Sequence, residues 1–577
     1  MLESEWFLLT SYSVPLTSVI TLATLVLTTV IVFRLFSKRQ VNDFGNKFVV
    51  ITGCDTGFGH ETAIRLDKMG VHVLATCLTK EGEQNLKSET SDRLKTFQMD
   101  VTNSQQIKDI YEKVKEILPL GQGLWGLVNN AGIYFTAPIE WTPLTKSKRA
   151  ADVNLWGLMD VTKTFLPLVK KASGRVVNLS SALGRTTLPQ SASYSITKYG
   201  VEAFSDALRR EMRPWGVQVS IIEPGLFKTP LSDAERNIHS LQELWDALSP
   251  DLKQEYGEKR LENIKNGMRI VLGSQACADT YKVVDAIVDA LKSQRPQARY
   301  VLGFDAKLYN LISLLVNWFI MAMSLVIVPA AVLFCVLASV LWILRRSREH
   351  RLAIDGKYVL ITGCDSGFGR ETAICLDKMG VNVLATCLTK EGEESLKSVT
   401  SKKMKTFLMD VTNSQQIGEV FDKVKEVIDD NSGLWGLVNN AGVLCLGPVE
   451  WVPLTHYKRT ADVNLWGMID VTKTFLPLVK TAKGRVVLVS SIAGVVSAQV
   501  FSPYCVTKYG VEAFGDSLRR EMRPFDVQVS VIEPGAKRTP LLQKSEVLTD
   551  GLKALWNKLS EEKKREYGKD YFEDGKK

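Results

Sequence analysis

The strongest constraint on the fold of this chain is a long segment that occurs twice. Residues 51–83 and residues 361–393 differ at only four of 33 positions, at an offset of 310 residues. The same offset relates NNAG at 129–132 to NNAG at 439–442. This period is far longer than that of a solenoid repeat, so it indicates a duplicated domain. We therefore predict four parts: an N-terminal membrane anchor (1–45), unit 1 (46–307), a hydrophobic membrane segment (308–345) and a C-terminally short unit 2 (346–577).

Composition argues against several kinds of partner. The hydrophobic fraction of 45% and the charged fraction of 23% are ordinary for globular α/β domains. The net charge of +9 suits an anionic membrane surface, but it includes no long basic run, so we expect no nucleic-acid partner. Nine cysteines without a CxxC pair and five scattered histidines predict neither a disulfide framework nor a metal site.

Two uncharged stretches are long enough to enter a membrane. Residues 6–33 follow two glutamates and precede basic residues, which favours an uncleaved anchor over a signal peptide. Residues 308–344 hold 37 uncharged positions, too many for one untilted helix and slightly few for two. Pro329 suits a re-entrant hairpin there. Basic residues follow both stretches, which is compatible with two cytosolic units, but the side of the membrane stays open.

A glycine-rich turn begins each unit. Residues 47–52 read as a buried parallel strand, three glycines follow as G-x3-G-x-G, and a helical stretch runs from about residue 60 to residue 69. The free N–H groups at a helix start attract a pyrophosphate, and glycine lets the backbone approach it. The pattern predicts a dinucleotide cradle in each unit, formed by Gly53, Gly57 and Gly59 in unit 1 and by Gly363, Gly367 and Gly369 in unit 2.

A second set of residues has the types and spacing needed for alcohol oxidation. Tyr194 and Lys198 lie four apart on a predicted amphipathic helix, and therefore on one face of it. Oxidation requires a base for the hydroxyl proton, and free tyrosine, with a pKa of about 10, is a poor base near neutrality. A neighbouring ammonium favours the phenolate and lowers that pKa. Asn154 and Ser181 precede this pair, and unit 2 repeats the set as Asn464, Ser491, Tyr504 and Lys508.

Taken together, these motifs resemble the short-chain dehydrogenase/reductase family. TGxxxGxG, NNAG and Y-x3-K occur in both units, and TGCDSGFG, LWGLVNNAG, TFLPLVK and ALRREMRP resemble the family's retinol and hydroxysteroid dehydrogenase branch. The resemblance implies that Tyr194 is the acid/base and that Lys198 also binds the nicotinamide ribose. It further implies that Ser181 binds the substrate oxygen and that Asn154 positions a proton-relay water.

The remaining predicted cofactor contacts follow the same motifs, with the Pro-Gly and Thr positions implied by the resemblance. In unit 1 they are Thr56, Phe58, Asp100, Val101, Asn129, Ala131, Gly132, Pro224, Gly225 and Thr229. In unit 2 they are Ser366, Phe368, Asp410, Val411, Asn439, Ala441, Gly442, Pro534, Gly535 and Thr539. The second strand ends ATCLT, with neither a basic clamp for a 2′-phosphate nor an acid for a free 2′-hydroxyl. The missing clamp favours NAD as the cofactor, and NADP stays open.

The predicted fold is α/β, with two tandem doubly wound parallel-sheet (Rossmann-type) units and membrane-anchoring hydrophobic helices. The predicted function is NAD(P)-dependent interconversion of a lipophilic alcohol and its carbonyl, at the endoplasmic reticulum membrane or alternatively a mitochondrial membrane. The resemblance implies retinol or a hydroxysteroid as substrate. The alternatives are an enzyme like D-β-hydroxybutyrate dehydrogenase and a membrane scaffold or binding protein that kept the fold. Homo-oligomerisation and intramolecular pairing of the two units are both open.

The two units differ where the substrate should bind. Residues 182–193 and 226–238 differ strongly from their unit 2 counterparts, whereas the cofactor motifs barely differ. This contrast predicts one cofactor and two substrate preferences. Unit 2 also lacks about forty C-terminal residues, including the counterpart of the predicted last strand, ARYVLG. Because an exposed sheet edge is unfavourable, unit 2 is expected to be impaired or to be completed by another chain.

Overall fold

The computed structural model describes residues 40–308, 354–428, 432–537, 539 and 545–568. The predicted N-terminal anchor and the predicted hydrophobic membrane segment lie almost wholly outside these ranges, and both stay predictions. Within the described ranges, no helix combines the length and the apolar character needed to cross a bilayer.

Seven parallel strands form the sheet of unit 1, in the spatial order β3-β2-β1-β4-β5-β6-β7. In chain order they are β1 (Phe48–Thr52), β2 (His72–Cys77), β3 (Lys95–Gln98), β4 (Gly126–Asn129), β5 (Arg175–Leu179), β6 (Gln218–Pro224) and β7 (Arg299–Leu302). The strand order reverses between β1 and β4, which opens a crevice at the carboxyl ends of the strands. The predicted doubly wound parallel sheet, including the last strand, is confirmed.

Helices cover both faces of this sheet. They are α1 (Gly57–Lys68), α2 (Lys80–Ser88), α3 (Ser104–Ile117), α4 (Leu144–Ala151), α5 (Leu158–Lys171), α6 (Ala192–Glu211), α7 (Ala234–Asp246), α8 (Pro250–Tyr256), α9 (Glu258–Met268) and α10 (Tyr281–Lys292). Every residue of β1 is buried, and its side chains alternate between two cores. Val50 packs with residues of α3, α5 and α6, whereas Val49 and Ile51 pack with residues of α1 and α10. Burial on both faces explains why the strand reads as a continuous apolar run.

The described part of unit 2 repeats this architecture with one strand fewer. Its strands β8 (Tyr358–Ile361), β9 (Asn382–Cys387), β10 (Lys405–Leu408), β11 (Gly436–Asn439), β12 (Arg485–Val489) and β13 (Gln528–Ile532) lie in the order β10-β9-β8-β11-β12-β13. Its helices are α11 (Gly367–Lys378), α12 (Lys390–Lys397), α13 (Ser414–Val427), α14 (Leu454–Ala461), α15 (Met468–Thr481), α16 (Ser502–Met522), α17 (Ser545–Asn557) and α18 (Glu561–Tyr567).

The outer edge of β13 has no partner strand among the described residues. Ile222 of unit 1, which β7 and α10 cover, is 0% exposed, whereas its unit 2 counterpart Ile532 is 49% exposed. The described residues of unit 2 therefore contain no counterpart of β7, and the predicted loss of this strand stays a prediction. Among these residues the edge of β13 is open and the apolar side chain of Ile532 is uncovered.

The two units pack against each other through α6 and α16, and one hydrophobic core extends across both. Two buried ion pairs flank this contact in mirrored positions. Lys170 of unit 1 lies 2.8 Å from Glu450 of unit 2. Lys480 of unit 2 lies 2.9 Å from Glu140 of unit 1. The structure therefore joins the units as an intramolecular pair with approximate twofold symmetry.

Candidate active site

The glycine turn follows β1 and leads into α1. Gly53 and Gly57 have φ angles of +70° and +64°, which side chains with a Cβ rarely adopt. A Cβ on Gly59 would lie 2.3 Å from Asn130 Nδ2 and 2.4 Å from Gly53 O, so only glycine fits there. Because α1 begins at Gly57, its first N–H groups face the crevice, as a phosphate site requires.

The NNAG motif supports this turn from the neighbouring strand. Asn130 Nδ2 donates to Thr52 O at 3.0 Å and to Gly53 O at 2.8 Å, which ties the ends of β1 and β4 together. Asn129, which we predicted as a cofactor contact, is buried and donates instead to Thr162 and Asn178. Asn130 was not among the predicted residues, although it belongs to the same repeated motif.

A second residue absent from the predicted set, Asp55, lies at the end of β2. Its carboxylate accepts hydrogen bonds from Leu78 N at 2.8 Å, Thr79 N at 2.9 Å and Thr79 Oγ1 at 2.7 Å. Asp365 makes the same three bonds in unit 2. The second strand therefore does have an acid at its end, but the glycine turn supplies it. Its repetition in both copies was the available sequence signal.

Tyr194, Lys198 and Ser181 meet where α6 passes the end of β5. Lys198 Nζ lies 5.5 Å from the centre of the Tyr194 ring and donates to Leu179 O at 2.9 Å. Ser181 Oγ accepts from Leu183 N at 3.1 Å, which caps a short helical turn, and it is hydrogen-bonded to the Tyr194 side chain. The helix thus presents the tyrosine and the lysine to one face, as their spacing predicts.

Asn154 lies in a π-helical turn between α4 and α5, a feature common at functional sites. Its side chain is fully buried. Its Oδ1 accepts from Ile133 N at 2.7 Å, and its Nδ2 donates to Ile133 O at 2.9 Å and to Thr197 Oγ1 at 3.2 Å. Asn154 therefore joins the segment after NNAG to the helix that carries the tyrosine and lysine.

Burial controls the protonation of Tyr194 and Lys198 in the protein. It raises the pKa of Tyr194, Tyr134 adds to this rise, and the hydrogen bond to Ser181 opposes it. Burial also lowers the pKa of Lys198 to about 8, against the opposing charge of Glu202. We expected the lysine ammonium to lower the pKa of the tyrosine. The net shift of the tyrosine pKa is in the other direction, because desolvation dominates it and the lysine amine is aimed at Leu179 O.

One cavity of about 1810 Å³ joins the glycine turn to these side chains. Its volume exceeds the ~300–1,000 Å³ typical of a site for one drug-sized ligand, so it has room for a dinucleotide and a substrate. The predicted residues that line it are Gly53, Thr56, Gly57, Phe58, Asp100, Val101, Ala131, Gly132, Ser181, Tyr194, Lys198, Pro224, Gly225 and Thr229. Gly59, Asn129 and Asn154 lie behind the wall and support it.

The Pro224-Gly225 segment of this wall is fixed by the end of β7 and the residues that follow it. Gly225 N donates to Leu302 O at 2.7 Å, and Leu226 N donates to Asp305 Oδ2 at 2.8 Å. Unit 2 lacks this support in its described part, where a Cβ on Gly535 would have no heavy atom within 4 Å. Among the described residues, the open edge of β13 therefore leaves this part of the unit 2 site without a supporting strand.

Three unit 2 residues, Asn464, Tyr504 and Lys508, reproduce the geometry of their unit 1 counterparts. Lys508 Nζ donates to Val489 O at 2.8 Å and lies 5.5 Å from the centre of the Tyr504 ring. Asn464 Oδ1 accepts from Val443 N at 2.7 Å. Burial raises the pKa of Tyr504 and lowers that of Lys508 to about 8. The structure therefore brings the predicted serine, tyrosine and lysine together in each unit, and it places the asparagine in the same buried position.

A doubly wound parallel sheet with a glycine turn and a buried Tyr-Lys pair on one cavity defines a dinucleotide-dependent oxidoreductase. The family model of the short chain dehydrogenases matches twice, at residues 47–239 and 357–547. The chain therefore belongs to the short chain dehydrogenase family and is an NAD(P)-dependent alcohol dehydrogenase or reductase.

Its relatives point to one branch of that family. The chain is 46% identical over 280 residues to retinol dehydrogenase 7 of Mus musculus, covering 48% of this chain and 87% of that protein. It is 47% identical over 279 residues to 17-beta-hydroxysteroid dehydrogenase type 6 of Rattus norvegicus, with the same coverage of 48% and 87%. A solved short-chain dehydrogenase from Streptomyces avermitilis is 25% identical, with a TM-score of 0.38, and the match covers 48% of this chain and 97% of that one.

Proposed function

We propose that unit 1 interconverts a lipophilic alcohol, either retinol or a hydroxysteroid, and the corresponding carbonyl with NAD. The observation that carries this proposal is the single cavity that connects the glycine turn to Tyr194 and Lys198. Beyond these polar groups its wall is largely apolar, with Ile133, Tyr134, Phe135, Leu183, Leu188, Leu226 and Phe304. Such a wall suits a hydrocarbon ring or chain better than a small hydroxy acid. The names of the two relatives support the same substrate class.

In this proposal each of the four predicted side chains has its own role in the reaction. A bound oxidised nicotinamide would supply the hydride acceptor for the carbinol carbon and a positive charge beside it. Tyr194 takes the hydroxyl proton, and Ser181 holds the substrate oxygen beside it. Burial alone keeps the phenol of Tyr194 protonated. Lys198 stabilises the phenolate when the positive charge of the oxidised nicotinamide is also present, because the two charges together offset the desolvation of the phenolate. Asn154 fixes Ile133 and α6 against each other, which holds the helix that carries Tyr194 in place.

The choice of NAD over NADP rests on Asp55. Its carboxylate lines the cavity at the end of β2, where the ribose of a dinucleotide lies in this fold. The nearby lining residues Leu78, Thr79 and Glu81 provide no positive charge. A 2′-phosphate would add about −1.5 to −2 charges beside these acids, whereas a free 2′-hydroxyl can donate to a carboxylate.

We propose unit 1 as the main working site and unit 2 as the weaker one. Both have the four predicted side chains, but among the described residues only the Pro224-Gly225 segment of unit 1 is tied to β7 and the residues after it, through bonds that Gly225 N and Leu226 N donate. The uncharged stretches at 6–33 and 308–344 are proposed to hold both units at the endoplasmic reticulum membrane. Extraction of the expressed protein from microsomes by alkaline carbonate would argue against this attachment.

The test is turnover by the detergent-solubilised full chain with NAD or NADP. Retinol, a 3α-hydroxysteroid, a 17β-hydroxysteroid and D-β-hydroxybutyrate are the substrates to compare. We expect NAD-dependent oxidation of at least one lipophilic alcohol and none of hydroxybutyrate. Tyr194→Phe should lower kcat by about 10²–10⁴-fold, and the matched control Tyr504→Phe should lower it less than twofold. Equal losses in the two variants would refute the assignment to unit 1, and hydroxybutyrate turnover would refute the substrate class.

A further inference from the structure

A carboxylate of unit 2 reaches into unit 1 at the edge of the substrate cleft. Glu521, at the end of α16, is only 5% exposed. Its Oε2 accepts from Ile139 N at 2.8 Å, and its Oε1 accepts from Gln190 N at 2.9 Å. Both bonds cross between units, and both use backbone donors that need a partner because the contact is buried.

The two amides belong to the two segments that wall the cleft. Ile139 ends the segment after NNAG, whose residues 133–135 line the cavity. Gln190 lies in the segment between Ser181 and Tyr194, which contributes Leu188 to the cavity. Gln190 has a φ of +65°, an unfavourable conformation for a residue with a side chain. Several hydrogen bonds must therefore hold it in place.

Gln190 is also where the two segments meet. Its carbonyl accepts from Ala137 N at 2.8 Å and from Thr136 Oγ1 at 2.8 Å. Its amide is held by Glu521. Next to the glutamate, Arg520 Nη1 donates to Thr187 O at 2.7 Å. Two adjacent residues of unit 2 thus fix the segment that carries Leu188.

The same contact exists in the opposite direction. Glu211 of unit 1 accepts from Val449 N at 2.6 Å and from Val500 N at 3.1 Å in unit 2. It is 8% exposed, close to the burial of Glu521. Glu211 therefore provides a matched control, because it makes an equivalent contact that supports the other cleft.

We propose that Glu521 is a positioning residue for the substrate cleft of unit 1, so that unit 2 acts as a built-in partner subunit. The inference rests on the proposed function of unit 1. Losing one carboxylate bond lets both wall segments move apart, which widens the alcohol site. The glycine turn and Asp55 lie on other segments and keep their geometry. The effect should therefore fall on the binding of the alcohol and not on that of the dinucleotide.

The experiment compares Glu521→Gln with Glu211→Gln in the full chain. Glutamine keeps the shape of the side chain but places an amide donor against one backbone N–H, so each variant loses one bond. For E521Q we expect KM for the alcohol to rise about tenfold, with KM for NAD within twofold. E211Q should lower the melting temperature equally and leave both KM values within twofold. Hydrogen exchange of peptides covering 133–142 and 186–192 should accelerate in E521Q only.

An unchanged alcohol KM in E521Q would overturn the proposal, and so would equal changes in the two variants. If the wild type shows no alcohol turnover, the proposed function fails, and the exchange rates still decide whether Glu521 holds the two segments. If E521Q does not fold, Arg520→Met replaces it, because this variant removes the contact with Thr187 alone. R520M should raise the alcohol KM about threefold, and no rise would also overturn the proposal.

Discussion

Replacing Arg299 by methionine should destabilise unit 1 by about 3–5 kcal/mol at pH 8. Arg299 lies on β7, with a side chain 28% exposed, and lies 2.9 Å from each of Glu202, Asp206 and Glu223. Glu202 and Glu223 are each 2% exposed. The variant leaves these carboxylates buried without their main cation. Arg185 lies 3.8 Å from Glu223 and compensates only part of this loss. The expected loss of stability is therefore that of a buried ion pair from which one partner has been removed.

The deficit should shrink as the pH falls. Burial raises the pKa of Glu202 to about 8, and burial also raises that of Glu223. The unfolded pKa of such a carboxyl is about 4.3. At pH values between this pKa and the higher folded pKa, the carboxyl binds more protons in the folded state than in the unfolded state. The free energy of unfolding therefore falls as pH rises through that window. Without Arg299 these pKa values rise further. The wild type also gains stability in this window, so the deficit shrinks only where the variant binds more protons than the wild type. Arg299 lowers the pKa of Glu223 and Asp206, so without it both take up protons at a higher pH, and the deficit should shrink between pH 8 and pH 5.

The assay is urea unfolding followed by tryptophan fluorescence at pH 5, 6.5 and 8. Arg299→Lys is the matched control, since it keeps the charge and loses only part of the forked geometry. In thermal scans each kcal/mol corresponds to about 2–4 °C for a domain of this size. A difference under about 0.5 kcal/mol at pH 8, typical of an exposed surface substitution, would refute the reasoning. A deficit that grows toward pH 5 would refute the electrostatic explanation.

Two further predictions concern the cofactor and the open sheet edge. Asp55→Asn should raise the ratio of kcat/KM with NADP to that with NAD about tenfold, because it removes a negative charge from the end of β2. Asp365→Asn in unit 2 is the control, and an unchanged ratio in D55N would show that the carboxylate does not select the cofactor. Ile222→Ala should cost about 2–5 kcal/mol in urea unfolding, whereas Ile532→Ala should cost under ~0.5 kcal/mol, because only the first side chain is buried. Comparable losses would mean that another segment covers β13.

The glycine turn and the Tyr-Lys pair could be predicted from the sequence because their geometry is local. Tyr194 and Lys198 share a helix face by periodicity, and Gly57 begins α1 within one turn of β1. The strands could also be predicted from the sequence, since a strand buried on both faces reads as a continuous apolar run. The duplication of the domain followed from comparing the two segments that repeat at an offset of 310 residues. In each case the determining residues lie within a few positions of one another or in a repeated segment.

The contacts that complete the site depend on tertiary structure. Asp55 reaches the end of β2 only because the parallel sheet places β1 beside it, and Asn130 ties β1 to β4 for the same reason. The direction of the Lys198 amine depends on Leu179 of the neighbouring strand. Glu521 meets Gln190 across 331 positions of sequence, through the packing of the two units. The sequence by itself thus determined the repeat, the elements and their functional side chains, whereas the tertiary structure decided which charges meet, because burial and distance arise only when the elements pack.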